Sequence, residues 1–167
     1  MFSFRQAGLD DAAAVGAGVA AGFEGYREFA PPFWRPPALA AQVEHFRRLF
    51  INGDIWCLLA EHDGALAGQV SFVPASGGAE PIDEPDLAHL SGLFVEPPWW
   101  GSGLAARLHV SALEEAAARG YTAMRLFTPA GQARARRFYE REGWARAGPE
   151  RDLAGGLPAL EYRRELP

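Results

Sequence analysis

Gly101-Ser102-Gly103 is where the backbone of this chain could itself do chemistry. An apolar run, Leu87 to Val95, precedes it and has the length and composition of a buried strand. Pro97 and Pro98 stop that strand. From Leu104 the pattern turns helical. Leu104, Leu108, Val110, Leu113 and Ala117 are available to an apolar side, and Arg107, Glu114 and Arg119 to water. Strand, glycine loop, helix is the layout of an anion site, because glycines let backbone come close and the first helical N–H groups have no partner of their own. The stretch predicts a site for a phosphorylated ligand. A plain strand–turn–helix connection, with Ser102 capping the helix, is the competing expectation.

Two phosphate motifs fail on the residues. Gly101-x-Gly103-x-x-Ala106 loosely matches the dinucleotide fingerprint, but that fingerprint needs a carboxylate about 20 residues on, at the end of the next strand. No Asp or Glu stands between Ala116 and Ala130. A P-loop needs a lysine, and all 16 basic residues here are arginine.

Composition narrows the class further. The chain has 167 residues, 49% of them hydrophobic, enough for one domain with a sizeable core. A net charge of −5 argues against a nucleic-acid surface. The one cysteine, Cys57, excludes an intrachain disulfide or a zinc cluster, and no metal site is expected. It lies in an apolar run and reads as a buried thiol. No basic-plus-apolar leader or membrane-length run is visible, so a cytoplasmic protein is expected, with no membrane partner. Arginine without lysine, with abundant Ala, Gly and Pro, suggests a GC-rich, bacterial genome.

The elements that must position the loop follow in order. Phe2 to Gln6 alternates as a short strand, and Asp10 or Asp11 can cap a helix to about Ala20. Gly22 to Pro37 is rich in aromatics, glycine and proline and cannot be one regular helix. It holds Phe23, Tyr26, Phe29, Phe33 and Trp34 with Glu24 and Glu28, either as a substrate loop with aromatic walls and a carboxylate for a cation, or as a loop pinned to the core. Ala38 to Ile51 predicts a helix with Leu39, Val43, Phe46 and Phe50 inward, ended by Asn52-Gly53. Ile55 to Glu61 and Leu66 to Val73 form a hairpin about His62-Asp63-Gly64. After the central stretch come a strand, Tyr121 to Phe127, a helix, Gln132 to Arg141, and two closing strands. This order predicts an α+β domain spanning 1–167, with one mixed sheet of about seven strands and about four helices.

Two blocks of residues together resemble one family. Leu93-Phe94-Val95-Glu96-Pro97, then Trp100-Gly101-Ser102-Gly103-Leu104-Ala105, is similar to the acetyl-CoA motif of the GNAT N-acetyltransferases. There Arg/Gln-x-x-Gly-x-Gly/Ala follows a strand ending in Val-x-Pro. Downstream, Ala135 to Trp144 resembles the family's Ala-x-x-Phe-Tyr-x-x-x-Gly-Phe segment. Three positions depart from the pattern: Trp100 stands for Arg or Gln, Gln132 for a frequent Asn, and His89 for the Glu of histone-type members.

The resemblance implies transfer of an acetyl group from acetyl-CoA to a primary amine by direct attack. It implies that Leu93, Phe94, Val95, Trp100, Gly101, Ser102, Gly103, Leu104, Ala105 and Gln132 hold the donor. It implies Tyr139 as the acid for the departing thiolate. A base is also needed, since an ammonium cannot attack. His89 is a candidate by its ordinary pKa, on the strand face that alternation shares with Ser91, Leu93 and Val95. Glu24, Glu80, Asp83 or Glu84 acting through water are the alternatives. Glu24, Tyr26, Phe29 and Trp34 predict an acceptor that is a small cationic or partly apolar amine, or else a peptide N-terminus or an amino acid. Arg134, Arg136, Arg137 and Arg141 crowd one helix, to meet phosphate or only solvent. A non-catalytic acyl-CoA-binding module of the same fold is the rival function, and a homodimer is left open.

Overall fold

A computed structural model describes all 167 residues. Four strands come before the glycine loop and its helix, β1 (Phe2–Gln6), β2 (Trp56–His62), β3 (Ala65–Pro74) and β4 (Leu87–Val95), and β5 (Ala123–Pro129) returns after it. β6 (Ala145–Arg146), β7 (Arg151–Leu153) and β8 (Leu157–Glu165) follow, so the sheet has eight strands where about seven were expected. The sheet order is β1-β2-β3-β4-β5-β8-β6, with β7 also on β8. Only β4 and β5 are parallel. Four helices flank the sheet: α1 (Ala12–Glu24), α2 (Leu39–Asn52), α3 (Leu104–Ala118) and α4 (Ala133–Arg141). The Asp63-Gly64 turn joins β2 to β3 with both residues at positive φ, as a two-residue hairpin turn requires.

Two cores lie on the two faces of the sheet. α3 closes one, where Leu104, Leu108, Ala112 and Ala116 meet Val70, Phe72, Leu90, Met124 and Leu126. α1 and α2 close the other, where Val15, Val19 and Phe46 meet Cys57, Leu59 and Val73. The sequence pattern needs three corrections here. α1 runs on to Glu24 and then tightens into a 3-10 turn, Gly25–Phe29, so the first half of the aromatic segment is helical. Asp11 does not cap it; its carboxylate takes the Gly8 N–H and the Arg5 guanidinium. Leu39 and Val110, expected inward, are exposed, and His109 is buried in the α3 stripe instead.

Candidate active site

The site begins where the parallel pair comes apart. β4 and β5 pair only from Leu87 to His89 against Ala123 to Arg125. Beyond that point β4 stays on β3 as far as Val95, while β5 stays on β8. A wedge therefore opens between them, and the edge of β4 facing it has no strand partner. The Glu96 N–H bonds to Ala67 O on the β3 side. By the alternation of an antiparallel ladder, the amide groups of Leu93 and Val95 then face the wedge. Their side chains pack toward α3, and Phe94 goes to the other face, against Phe23. A Cβ on Gly22 would stand 2.1 Å from the Phe94 ring, so that glycine is what lets α1 lie so close to β4.

A bulge at Ser91 resets the strand. Ser71 pairs with Gly92 and Phe72 with Leu90, leaving Ser91 as the extra residue. Its hydroxyl meets the Ser71 hydroxyl at 2.8 Å. The bulge reverses which face each later residue takes, and this corrects the expected placement of His89. It does not share a face with Leu93 and Val95, because strict alternation fails across the extra residue. His89 lies on the face opposite α3, with its ring 5.9 Å from Phe127, and is 4% exposed. Its Nδ1 has no partner. Burial, and secondarily the Arg125 charge, push its pKa down to about 3.

The glycine loop sits at the outer end of the wedge. Gly101 and Gly103 have φ of 81° and 83°, the left-handed conformation that favours glycine. The N–H groups of Gly101, Gly103, Ala105 and Ala106 find no acceptor in the chain. Ser102 turns its hydroxyl to Trp99 O at 2.7 Å and receives the Leu104 N–H at 3.3 Å, so it satisfies one donor and leaves the cradle open. Trp100 does carry a donor, but spends it on Val95 O at 2.7 Å. Its exposed ring lies under the Arg134 guanidinium at 4.5 Å, linking the loop to the start of α4. Trp99 packs elsewhere, on Phe2 and His62. Leu104 is core and Ala105 contributes only its N–H. Gln132 is the residue before α4, with its side-chain oxygen 3.5 Å from the Thr128 hydroxyl.

Four unpaired N–H groups at a helix N-terminus suit a diphosphate, and an unpartnered strand edge suits an amide-bearing arm laid along it. The residues thus fit coenzyme A. The matching of a family model agrees: residues 21–144 match the Acetyltransferase (GNAT) family. The chain belongs to the GNAT acetyltransferase family. The donor in this family is acetyl-CoA. No curated protein matches the sequence. Among solved structures, an N-acetyltransferase from Staphylococcus aureus Mu50 superposes with a TM-score of 0.76 at 17% identity, covering 100% of this chain and 99% of that one. A ribosomal-protein-alanine N-acetyltransferase from Brucella melitensis gives 0.74 at 20% identity, over 98% and 99%. A PaiA N-acetyltransferase from Thermoplasma acidophilum, solved in complex with coenzyme A, gives 0.69 at 15%, over 99% of each chain. At such identities the likeness is one of fold.

The GNAT chain brings only some of the expected residues to the wedge. Tyr139 of α4 is half-buried against Phe138, Trp144 and Tyr162. Its pKa is pushed up by burial and then by nearby Tyr26, whose own is raised to about 12 by burial. Tyr26 stands edge-on to Phe23, which stands edge-on to Phe94, so an aromatic row runs from β4 toward Tyr139. Phe29 reaches the far side, against Gly131. Glu24 and Trp34 are elsewhere. The Glu24 carboxylate is held by Arg27 at 2.6 Å and lines an outer groove with Arg35 and Leu39. Trp34 is 5% exposed and lies over Gly155 of the β7–β8 turn, a pin for the segment rather than a surface for a ligand. Of the α4 arginines, Arg136 is committed to Tyr162 and Ala130 O, and Arg141 to Glu142 and Phe138. The motifs do not point to Arg125, which lies beside His89 and is 1% exposed. Its signal was a charge inside an apolar strand, between Met124 and Leu126.

Proposed function

We propose that this GNAT chain transfers the acetyl group of acetyl-CoA to a primary amine by direct attack, in a ternary complex and in the cytoplasm. The observation that carries the reading is the unpartnered β4 edge opening beside four unpaired N–H groups at the start of α3. That arrangement supports a diphosphate at Gly101 to Ala106, an arm along Leu93 to Val95, and a thioester in the wedge near Tyr139. In this reading a β4 N–H there meets the charge that develops on the thioester oxygen. Holding both substrates in one wedge supplies much of the acceleration.

In the step itself the amine nitrogen bonds to the acetyl carbon and the carbon–sulfur bond breaks. The sulfur takes a proton as it leaves, and Tyr139, kept protonated well above neutral pH by burial, is the donor in this reading. The acceptor's ammonium gives one proton to water rather than to His89 before it attacks, and the second proton, shed by the nitrogen as the amide forms, returns through water to Tyr139. A neutral, buried imidazole whose pKa lies near 3 has little basicity, and Gly78 lies against its ring. The acceptor amine is given Tyr26 and Phe29 as its apolar walls.

Calorimetric titration with acetyl-CoA, with NAD as control, is the direct test. One-site binding of acetyl-CoA alone, followed by thiol release with an amine, is the expected result. Absence of acetyl-CoA binding would overturn the reading.

A further inference from the structure

The face of the sheet on the acceptor side carries more positive than negative charge. Past the last β4–β5 pair, Phe127 lies between His89 of β4 and Arg151 of β7, with its ring 5.9 Å from the imidazole and 5.5 Å from the guanidinium. The Arg125 guanidinium stands 5.2 Å from the same ring. Arg125, Arg151 and Arg163 gather there with two carboxylates, Glu161 and Glu84. Arg125 bonds to no carboxylate at all; it takes the carbonyls of Ala75, Ala79 and Glu80. One positive charge on this face is therefore left without a counter-charge, in a partly desolvated place where attraction to an anion is strong.

Arg151 is the member that solvent reaches, with 42% of its side chain exposed. Glu161 is bound tightly by Arg163, at 2.7 Å, and only loosely by Arg151, at 3.3 Å. A guanidinium has five donors, so most of those of Arg151 remain free for a planar carboxylate. Of the two acids in the aromatic segment, Glu24 and Glu28, the one expected to hold a cationic acceptor, Glu24, is already neutralised by Arg27 and faces another groove.

We infer that the acceptor is a small primary amine that also carries a carboxylate, with the carboxylate held by Arg151 beside Phe127 and the amine turned into the wedge. This rests on the acetyltransferase reading and names its substrate class. The experiment compares amino acids with their uncharged carboxamides as acceptors, by thiol release at saturating acetyl-CoA. A free carboxylate should raise kcat/KM about tenfold or more over the matched amide, as a charge-assisted pair to arginine implies. In Arg151→Gln the KM of the acid should rise by a similar factor with kcat little changed, and the acid-to-amide ratio should fall toward one. Arg151 is surface-exposed, and an unchanged thermal midpoint will show that the variant folds. Amides used as well as acids, or an acid-to-amide ratio untouched by Arg151→Gln, would overturn the inference and leave the acetyltransferase standing. Acetyl-CoA binding without thiol release from any amine would overturn both.

Discussion

Tyr139 carries the heaviest chemical load of any single side chain in this reading, and its surroundings suit the task. Burial disfavours the phenolate, so the hydroxyl keeps its proton until a developing thiolate asks for it. Tyr139→Phe should lower kcat by about 100-fold, the lower range for loss of a general acid, and leave acetyl-CoA affinity unchanged. Equal turnover in a thiol-release assay would remove the hydroxyl from the mechanism. Trp100 and Arg134 form a different pair. The indole has replaced the usual polar donor of the motif and points that donor inward to Val95 O, while its face holds a guanidinium with no carboxylate partner beside the free N–H groups. Arg134→Gln should weaken acetyl-CoA binding by about five- to tenfold, within the range of one charge-assisted contact, and the loss should shrink in high salt. Calorimetry at two ionic strengths will measure it.

At the level of elements, the glycine loop and the β4 bulge do separate jobs. The loop presents N–H groups because Gly103, immediately before α3, is left-handed and brings no side chain to fill the first turn. Gly103→Ala forces a Cβ into that conformation at a cost of about 1–2 kcal/mol. We expect a lower thermal midpoint and weaker acetyl-CoA binding together, measured on the same preparation; loss of neither would mean that the loop relaxes freely. The bulge turns Phe94 and His89 to one face and Leu93 and Val95 to the other, so the strand serves two cores and still offers a backbone edge. Legibility differed between these two elements. Two glycines after a proline-stopped strand announce a loop from their residue types alone. An extra residue within an apolar strand leaves no mark, because Leu90, Ser91 and Gly92 read equally well with or without it.

The whole molecule is held in part by two buried neutral histidines, one on each face of the sheet. His109 of α3 accepts the Trp144 indole N–H at 2.8 Å, and burial, partly offset by Glu142, pushes its pKa down to about 4. His89 is pushed to about 3. Both folded values lie below the ordinary 6.5, so the unfolded chain takes up protons first as pH falls. Their contribution is full above about pH 6.5 and drains away between there and pH 3–4; for His109 alone it amounts to ~3 kcal/mol. Denaturant unfolding at pH 7 and pH 4.5 should show a clear loss at the lower pH, and His109→Gln should reduce the size of that loss. An equal pH dependence in the variant would exclude His109 as a source.

The sequence by itself determined the order of strands and α-helices as far as α4, the length of β4, the glycine loop at the head of α3 and, through two motif blocks, the family. Those features are local: turn chemistry, helical period and the spacing of short motifs are written in neighbouring residues. The departures Trp100 and Gln132 were equally visible, but not what they do. Tertiary structure decided which way each side chain of β4 faces, that Glu24 is already paired and Trp34 already buried, and that an arginine of β7 shares a face with β5 and β8. Each of these depends on partners far apart in the chain, Arg151 with Phe127 or Trp34 with Gly155, and no periodicity along one segment encodes which distant segment will cover it. The wedge itself is of this kind. It exists because β4 follows β3 while β5 follows β8, and the two diverge after three paired residues, a consequence of packing across the whole sheet.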